Sequence, residues 1–236
     1  MRTPPDAAAR SRTGPTATGP TTTGPTSSGP TTIEPETTEP TTTESTNQED
    51  RMSGGATVWL TGLPSAGKTT IATALAEQLR AEGRRVEVLD GDEIREFLSA
   101  GLGFTREDRH TNVQRIGFVA ELLASHGVLV LVPVIAPYSD SREAVRKRHQ
   151  SRGTDYVEVH IATPVDVCAV RDVKGLYAKQ AAGELTGLTG VDDPYEVPQH
   201  PDLRIETQGS SVAQSAAAVY AYLGDSGRIA SERGRA

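Results

Sequence analysis

The stretch Gly62-Leu63-Pro64-Ser65-Ala66-Gly67-Lys68-Thr69 fits G-x-x-x-x-G-K-[ST], the pattern of a phosphate-binding loop. Its surroundings agree with that pattern. Residues 57–61 are a short β-rich run ahead of it, and residues 68–81 form a helix-forming stretch behind it. The glycines let the backbone curl so that successive N–H groups point inward at phosphate oxygens, backed by a helix N-terminus. With glycine at about 7% of residues, chance gives such a match in only about 1% of chains this size. The loop therefore assigns a nucleoside triphosphate to Gly62, Ser65, Ala66, Gly67, Lys68, Thr69 and Thr70. Lys68 is expected to reach the β- and γ-phosphates, and the Thr69 hydroxyl to ligate Mg²⁺.

Outward from the loop, strand and helix patterns alternate. Residues 85–89 read as a strand and 92–98 as a short helix. Thr105, with Asp108 three positions on, opens a long helix to residue 125 in capping-box style. Residues 128–135 are almost continuously aliphatic, the signature of a strand buried on both faces of a parallel sheet. A basic helix over 139–150, a strand over 156–161 and a helix over 164–171 follow. Residues 173–200 are rich in Gly, Pro and charge with little periodicity, which reads as an irregular functional lid. A strand over 203–206 and an amphipathic helix over 210–223 close the pattern. This alternation predicts a doubly wound α/β domain.

The N-terminal segment is of another kind. Eight of the chain's fifteen prolines precede residue 41, six of them at a strict five-residue spacing from Pro15 to Pro40. Residues 1–50 hold no aromatic residue, and Ile33 is their only branched aliphatic. Too little apolar surface is available there to offset the entropy of folding. The expected organisation is a disordered Thr/Pro-rich tail over 1–51 and one folded domain over 52–236. Met52, the only methionine besides Met1, is a second possible translation start.

Residues 52–236 carry 20 basic and 24 acidic residues, a balance that argues against a general nucleic-acid binder. Cys168 stands alone, so an internal disulfide and a thiolate metal site are excluded. Neither a signal-peptide core nor a membrane-spanning apolar run is present. A cytoplasmic protein is expected. The five histidines show no metal-binding spacing, and His110 alone falls near the candidate site. Cys168 reads as a buried small residue. Arg142, Arg146, Lys147 and Arg148 lie on one predicted helix and read as a solvated basic face.

A second cluster lies between residues 89 and 112. The aliphatic strand over 128–135 ends without an acidic residue, whereas hydrolytic NTPases commonly hold Mg²⁺ through one at such a position. Carboxylates stand instead at Asp90, Asp92 and Glu93, which favours a kinase with its acceptor beside the γ-phosphate. Asp92 is placed to orient a hydroxyl, Arg95 and Arg109 to grip an anion, and Phe104 to stack on a base. The alternative is a helix-capping Asp92 with solvated arginines. The residues alone leave both open.

The blocks TVWLTGLPSAGKTT, LDGDEIR, LGFTREDRHTNVQRIGFVAELL, the PY and SR of APYSDSR, and RDVKGLYAKQAAGELTGLTGVDDPYE span residues 57–197. Together they resemble the adenylylsulfate kinases, which use ATP to phosphorylate the 3′-hydroxyl of adenosine 5′-phosphosulfate (APS) in sulfate assimilation. The resemblance implies a P-loop kinase-like, doubly wound parallel sheet of about five strands flanked by helices, with a lid. It implies that Asp92 aligns the 3′-hydroxyl and that Arg95, Phe104, Arg109, Asn112, Ile135, Ala136, Lys174 and Leu188 form the APS site. Phe104 would stack on the adenine, and Arg171 would lie near the ATP adenine. MgATP as co-substrate, a homodimer and association with an ATP sulfurylase are further implications.

This chain departs from the family pattern at several positions. Glu93 replaces an asparagine, and Leu188 a phenylalanine that completes the adenine sandwich, a loss of about 1–3 kcal/mol of stacking. Ala178 and Ala181 replace basic lid residues. Ala136 replaces a serine, which excludes a phosphoserine intermediate at that position and leaves direct transfer. Two rival readings are a kinase with another acceptor and a non-catalytic nucleotide-binding paralogue; intact Lys68, Thr69, Asp92 and Arg109 argue against the second.

Overall fold

A computed structural model of the chain describes residues 54–229. The Thr/Pro-rich tail and Met52 lie outside the described residues. The elements run β1 (Ala56–Thr61), α1 (Lys68–Ala81), β2 (Val86–Val88), α2 (Gly91–Glu96), α3 (Arg106–Ser125), β3 (Leu129–Pro133), α4 (Ser139–Arg152), β4 (Asp155–Ile161), α5 (Val165–Arg171), α6 (Leu176–Ala181), β5 (Leu203–Ile205) and α7 (Val212–Asp225). The five strands form one parallel sheet in the order β2-β3-β1-β4-β5. The expected α/β architecture is the observed one.

Strand periodicity sorts the core into two layers. Val58 and Leu60 of β1 and Leu129 and Leu131 of β3 pack with Ile71, Leu75 and Leu79 of α1 and Val219 and Leu223 of α7. Trp59, Val130 and Val132 point the other way, onto Val113, Ile116 and Ala120 of α3 and Val145 of α4. Both faces are covered, so β3 is apolar throughout, while the polar Thr57, Thr61, Glu158 and His160 of β1 and β4 are buried as well.

Pro133 ends β3 without an unmet hydrogen bond from its neighbour. Leu129 N donates to Arg85 O and Val134 N to Leu60 O, so odd-numbered amides of this strand face β2. The register with β2 ends at the Val88–Leu131 pair, so the donor that proline lacks falls where no partner strand remains.

Helices α3 and α4 approach closely at Gly117. A Cβ there would lie 2.6 and 2.9 Å from the two γ-methyls of Val145, a stiff, fully buried side chain. Gly117→Ala is therefore expected to destabilise the fold by about 1–3 kcal/mol despite its better helix propensity. Thermal denaturation of the variant measures this, and an unchanged or raised midpoint would show that the contact relaxes freely.

The structure corrects three expectations. The segment 173–200 is not wholly irregular, since α6 lies within it. Gly175, at φ 67°, precedes that helix, and the Asp172 side chain accepts from the amides of Tyr177 and Ala178. Thr105 Oγ1 accepts from Asp108 N at 3.1 Å, but the reciprocal capping box stands at α7, between Ser211 and Gln214. The basic run on α4 is not a solvated face. Arg142 is buried and paired with Glu158, Arg146 bridges Glu158 and Asp202, and Arg148 pairs with Glu121; Lys147 stays exposed. Cys168 is buried, as expected.

Among the described residues, no helix is long and apolar enough to cross a membrane.

Candidate active site

The strands deliver their C-terminal ends to one side of the sheet, where parallel α/β folds bind ligands. The phosphate loop leaves β1 there. A Cβ at Gly62 would meet Ile161 O at 2.6 Å, so only glycine lets the loop pass β4. Gly67 takes φ 101° as the residue before α1, and Ser65 is also left-handed at φ 60°. Lys68 is buried, and its Nζ donates to Gly62 O at 2.9 Å and Leu63 O at 2.8 Å. Burial lowers its pKa to about 8, against smaller raising effects from Cys168, Asp90 and Asp92.

The loop is tied to its surroundings on both sides. Thr163 Oγ1 and Arg171 Nη1 donate to Ala66 O, and Arg171 Nη2 to Thr207 O. Tyr177 of α6 donates its hydroxyl to Pro64 O at 3.1 Å. Thr69 Oγ1 donates to Asp90 Oδ2 at 2.9 Å, and the other Asp90 oxygen accepts from Asp92 N, capping α2. Asp90 was not singled out from the sequence as a site residue. Its position just past the C-terminal end of β2, on the side of the sheet where the phosphate loop leaves β1, is the signal that finds it.

Facing the loop, Asp92 pairs with Lys174. Phe104 is exposed, with the guanidinium carbons of Arg95 and Arg109 4.5 and 5.5 Å from its ring centroid. Arg109 differs from the freely gripping side chain expected. It is buried, donates to Phe104 O, Thr189 Oγ1 and Gly187 O, and stands 3.3 Å from Asp193. It thereby fastens the arm 187–193 over the acceptor side. Leu188, within that arm, is buried, and Asn112 Oδ1 is buried without a hydrogen-bond partner.

These groups enclose one cavity of about 1040 Å³. It is lined by Ser65, Ala66, Gly67, Lys68, Thr69, Thr70 and Arg171 on one side and by Asp92, Arg95, Phe104, Arg109, Asn112, Ile135, Ala136, Lys174 and Leu188 on the other. Only Gly62 of the expected site residues is absent from the lining, its role being the loop's backbone. Thr207, Ser210 and Ser215 also line it and carry no motif that marks them in the sequence. Such a volume is at the upper end for small-molecule pockets.

The sequence profile of the adenylylsulphate kinase family matches residues 54–206. The chain belongs to the adenylylsulfate kinase family. The adenylyl-sulfate kinase of Rippkaea orientalis is 49% identical over 178 residues, covering 75% of this chain and 95% of that protein. That of Myxococcus xanthus is 53% identical over 160 residues, 68% of this chain and 86% of the relative. Among solved structures, the Mycobacterium tuberculosis APS kinase CysC in complex with AMPPNP and APS superposes with a TM-score of 0.70 at 45% identity, covering 72% of this chain and 98% of that one. The matched region of this adenylylsulfate kinase family member contains both halves of the cavity up to Thr189.

Proposed function

We propose that the protein transfers the γ-phosphoryl group of ATP to the 3′-hydroxyl of adenosine 5′-phosphosulfate, giving 3′-phosphoadenylylsulfate and ADP. The observation that carries this is the single cavity, in which a phosphate loop faces an acceptor wall with Asp92 between them. ATP occupies the loop side, its phosphates on the amides of residues 65–69 and its base toward Arg171 and Thr207. APS occupies the other side, its base against Phe104 and Leu188. Arg95 and Lys174 supply charge to its anionic groups. The orphaned Asn112 oxygen awaits a donor such as a sugar hydroxyl.

Phosphoryl transfer asks mainly for alignment and for positive charge on the transferred oxygens. Lys68 provides the charge, and Asp92 accepts the hydroxyl proton and holds it in line. Lys174 partners Asp92 in this structure and is the natural cation to leave for an incoming anion. With alanine at position 136, no serine stands there to be phosphorylated, and transfer is direct.

The donor set beside the loop fits Mg²⁺: a hydroxyl, Thr69, and a carboxylate, Asp90, 2.9 Å apart, the hard oxygen ligands this ion takes together with phosphates. Thr69 and Asp90 would hold the ion there, and it would supply positive charge to the β- and γ-phosphates. Self-association accords with a hexameric APS kinase from Thiobacillus denitrificans, 35% identical with a TM-score of 0.57, although this chain covers only 30% of that one.

A coupled ADP-release assay tests the reading. APS is expected to support turnover, while other nucleotides and small alcohols do not. Turnover with another acceptor only would overturn it, and tight binding of ATP and APS without turnover would support a non-catalytic role.

A further inference from the structure

The loop after β3 contains an alanine, Ala136, at φ 42°, a left-handed conformation that an L-residue keeps only when its surroundings impose it. The imposing contacts are on the three successive carbonyls of this loop. Thr61 Oγ1 donates to Ile135 O at 2.5 Å, so in its 3.0 Å contact with Tyr195 the tyrosine hydroxyl is the donor. Arg142 Nη1 donates to Ala136 O at 2.8 Å. Glu196 N donates to Pro137 O at 2.8 Å. Two of these ties lead to the chain returning from the lid, at Tyr195 and Glu196.

Arg142 joins the two sides. It is buried, its Nε donates to Glu158 Oε1 at 2.7 Å, and its Nη2 donates to Glu196 O at 2.8 Å. One planar fork therefore holds the cavity floor, the lid return and a strand of the sheet together. A guanidinium does this because its donors diverge in a fixed plane, which an ammonium cannot imitate. Arg142 does not line the cavity, so its effect on the site passes through Ala136 and Glu196.

We propose that Arg142 is a positioning residue for the acceptor half of the site, locking the left-handed Ala136 loop and the stem of the lid into one unit. What the acceptor is rests on the function proposed above; the lock itself does not. Glu158 neutralises the guanidinium, so the lock works through geometry rather than through charge felt in the cavity.

Arg142→Met alone leaves the buried Glu158 with Arg146 as its one remaining ion-pair partner and its Oε1 unpaired, and is expected to cost stability for that reason. The decisive variant is Arg142→Met with Glu158→Leu, which removes both charges while Arg146 keeps Asp202 at 2.9 Å. Replacing a buried ion pair by apolar residues is often neutral for stability. The double variant is expected to melt near the wild type, with KM for APS raised at least about tenfold and KM for ATP within about twofold, since small misplacements of a substrate are costly. Hydrogen exchange over 135–139 and 187–197 is expected to accelerate about tenfold or more, and that of the phosphate loop to stay unchanged.

A folded double variant with wild-type KM for APS and wild-type exchange would reduce Arg142 to half of an ion pair and overturn the proposal. A parallel rise in both KM values with faster exchange throughout would overturn it too. If the wild type fails to phosphorylate APS, the proposed reaction falls, and the exchange measurement still decides on the lock.

Discussion

Lys68→Met is expected to lower turnover about 10³-fold and, at pH 7, to raise the melting temperature. The two effects have one cause. Lys68 is a buried ammonium whose burial lowers its pKa from 10.5 to about 8 even with two carbonyls accepting from it. At about 1.4 kcal/mol per tenfold change in proton affinity, the charged form costs the fold about 3 kcal/mol. Below pH 8 the folded and unfolded chains are both protonated here, so the full cost is present. Between pH 8 and 10.5 the folded chain gives up its proton first and the cost disappears. The advantage of the methionine variant is therefore largest below pH 8 and gone above about 10.5. Melting curves at pH 7 and 9.5 check the sign, and a variant melting lower at pH 7 would mean that the carbonyl hydrogen bonds outweigh burial. Triphosphate binding restores the charge, so MgATP is expected to take up about half a proton per site at pH 8. Calorimetry in buffers of different ionisation enthalpy measures this uptake, which Lys68→Met should abolish.

The parts of this site that were legible in the sequence are those set by local chemistry. The glycines around Lys68, the helix that starts there and the aliphatic run of β3 each announce themselves within ten residues. What was not legible depends on contacts between distant segments. Arg142 belongs to a run of charges that reads as solvated, because nothing local discloses that Glu158 and the carbonyls of Ala136 and Glu196 enclose it. Asp90 stood among several carboxylates until folding set it against Thr69, 21 residues away. Helix α6 is six residues long, too short to stand on periodicity or propensity. It is held by Asp172 at its start and by the Tyr177 hydroxyl on Pro64 O, a contact spanning 113 residues. For Arg109 the sequence suggested an anion grip, whereas the contacts the structure shows are to Phe104 O, Gly187 O and Thr189 Oγ1, which fasten the lid arm.

Asp90 and Asp92 stand two positions apart and are expected to fail differently when each is replaced by asparagine. Asparagine caps a helix as well as aspartate does, so Asp90→Asn should leave α2 in place. It removes one of the two oxygen groups that would hold the ion, a loss of at least the roughly 10–100-fold in metal affinity that even outer partners of a metal site carry. The Mg²⁺ concentration giving half-maximal turnover, and that giving half-maximal ATP binding in calorimetry, should both rise about tenfold or more, with kcat largely restored at saturating Mg²⁺. Asp92→Asn should instead lower kcat about 10²-fold at every Mg²⁺ concentration, since a positioned base contributes at least that much and metal cannot replace it. Its pairing with Lys174 is largely exposed, worth about 0–1 kcal/mol, so the fold should hold. Rates measured across a Mg²⁺ series for both variants separate the roles. Rescue of Asp92→Asn by Mg²⁺ would place that carboxylate on the metal side and leave the acceptor hydroxyl without an orienting group. An Asp90→Asn defect that Mg²⁺ does not relieve would instead make Asp90 a strut for Thr69, with its carboxylate charge irrelevant to the ion.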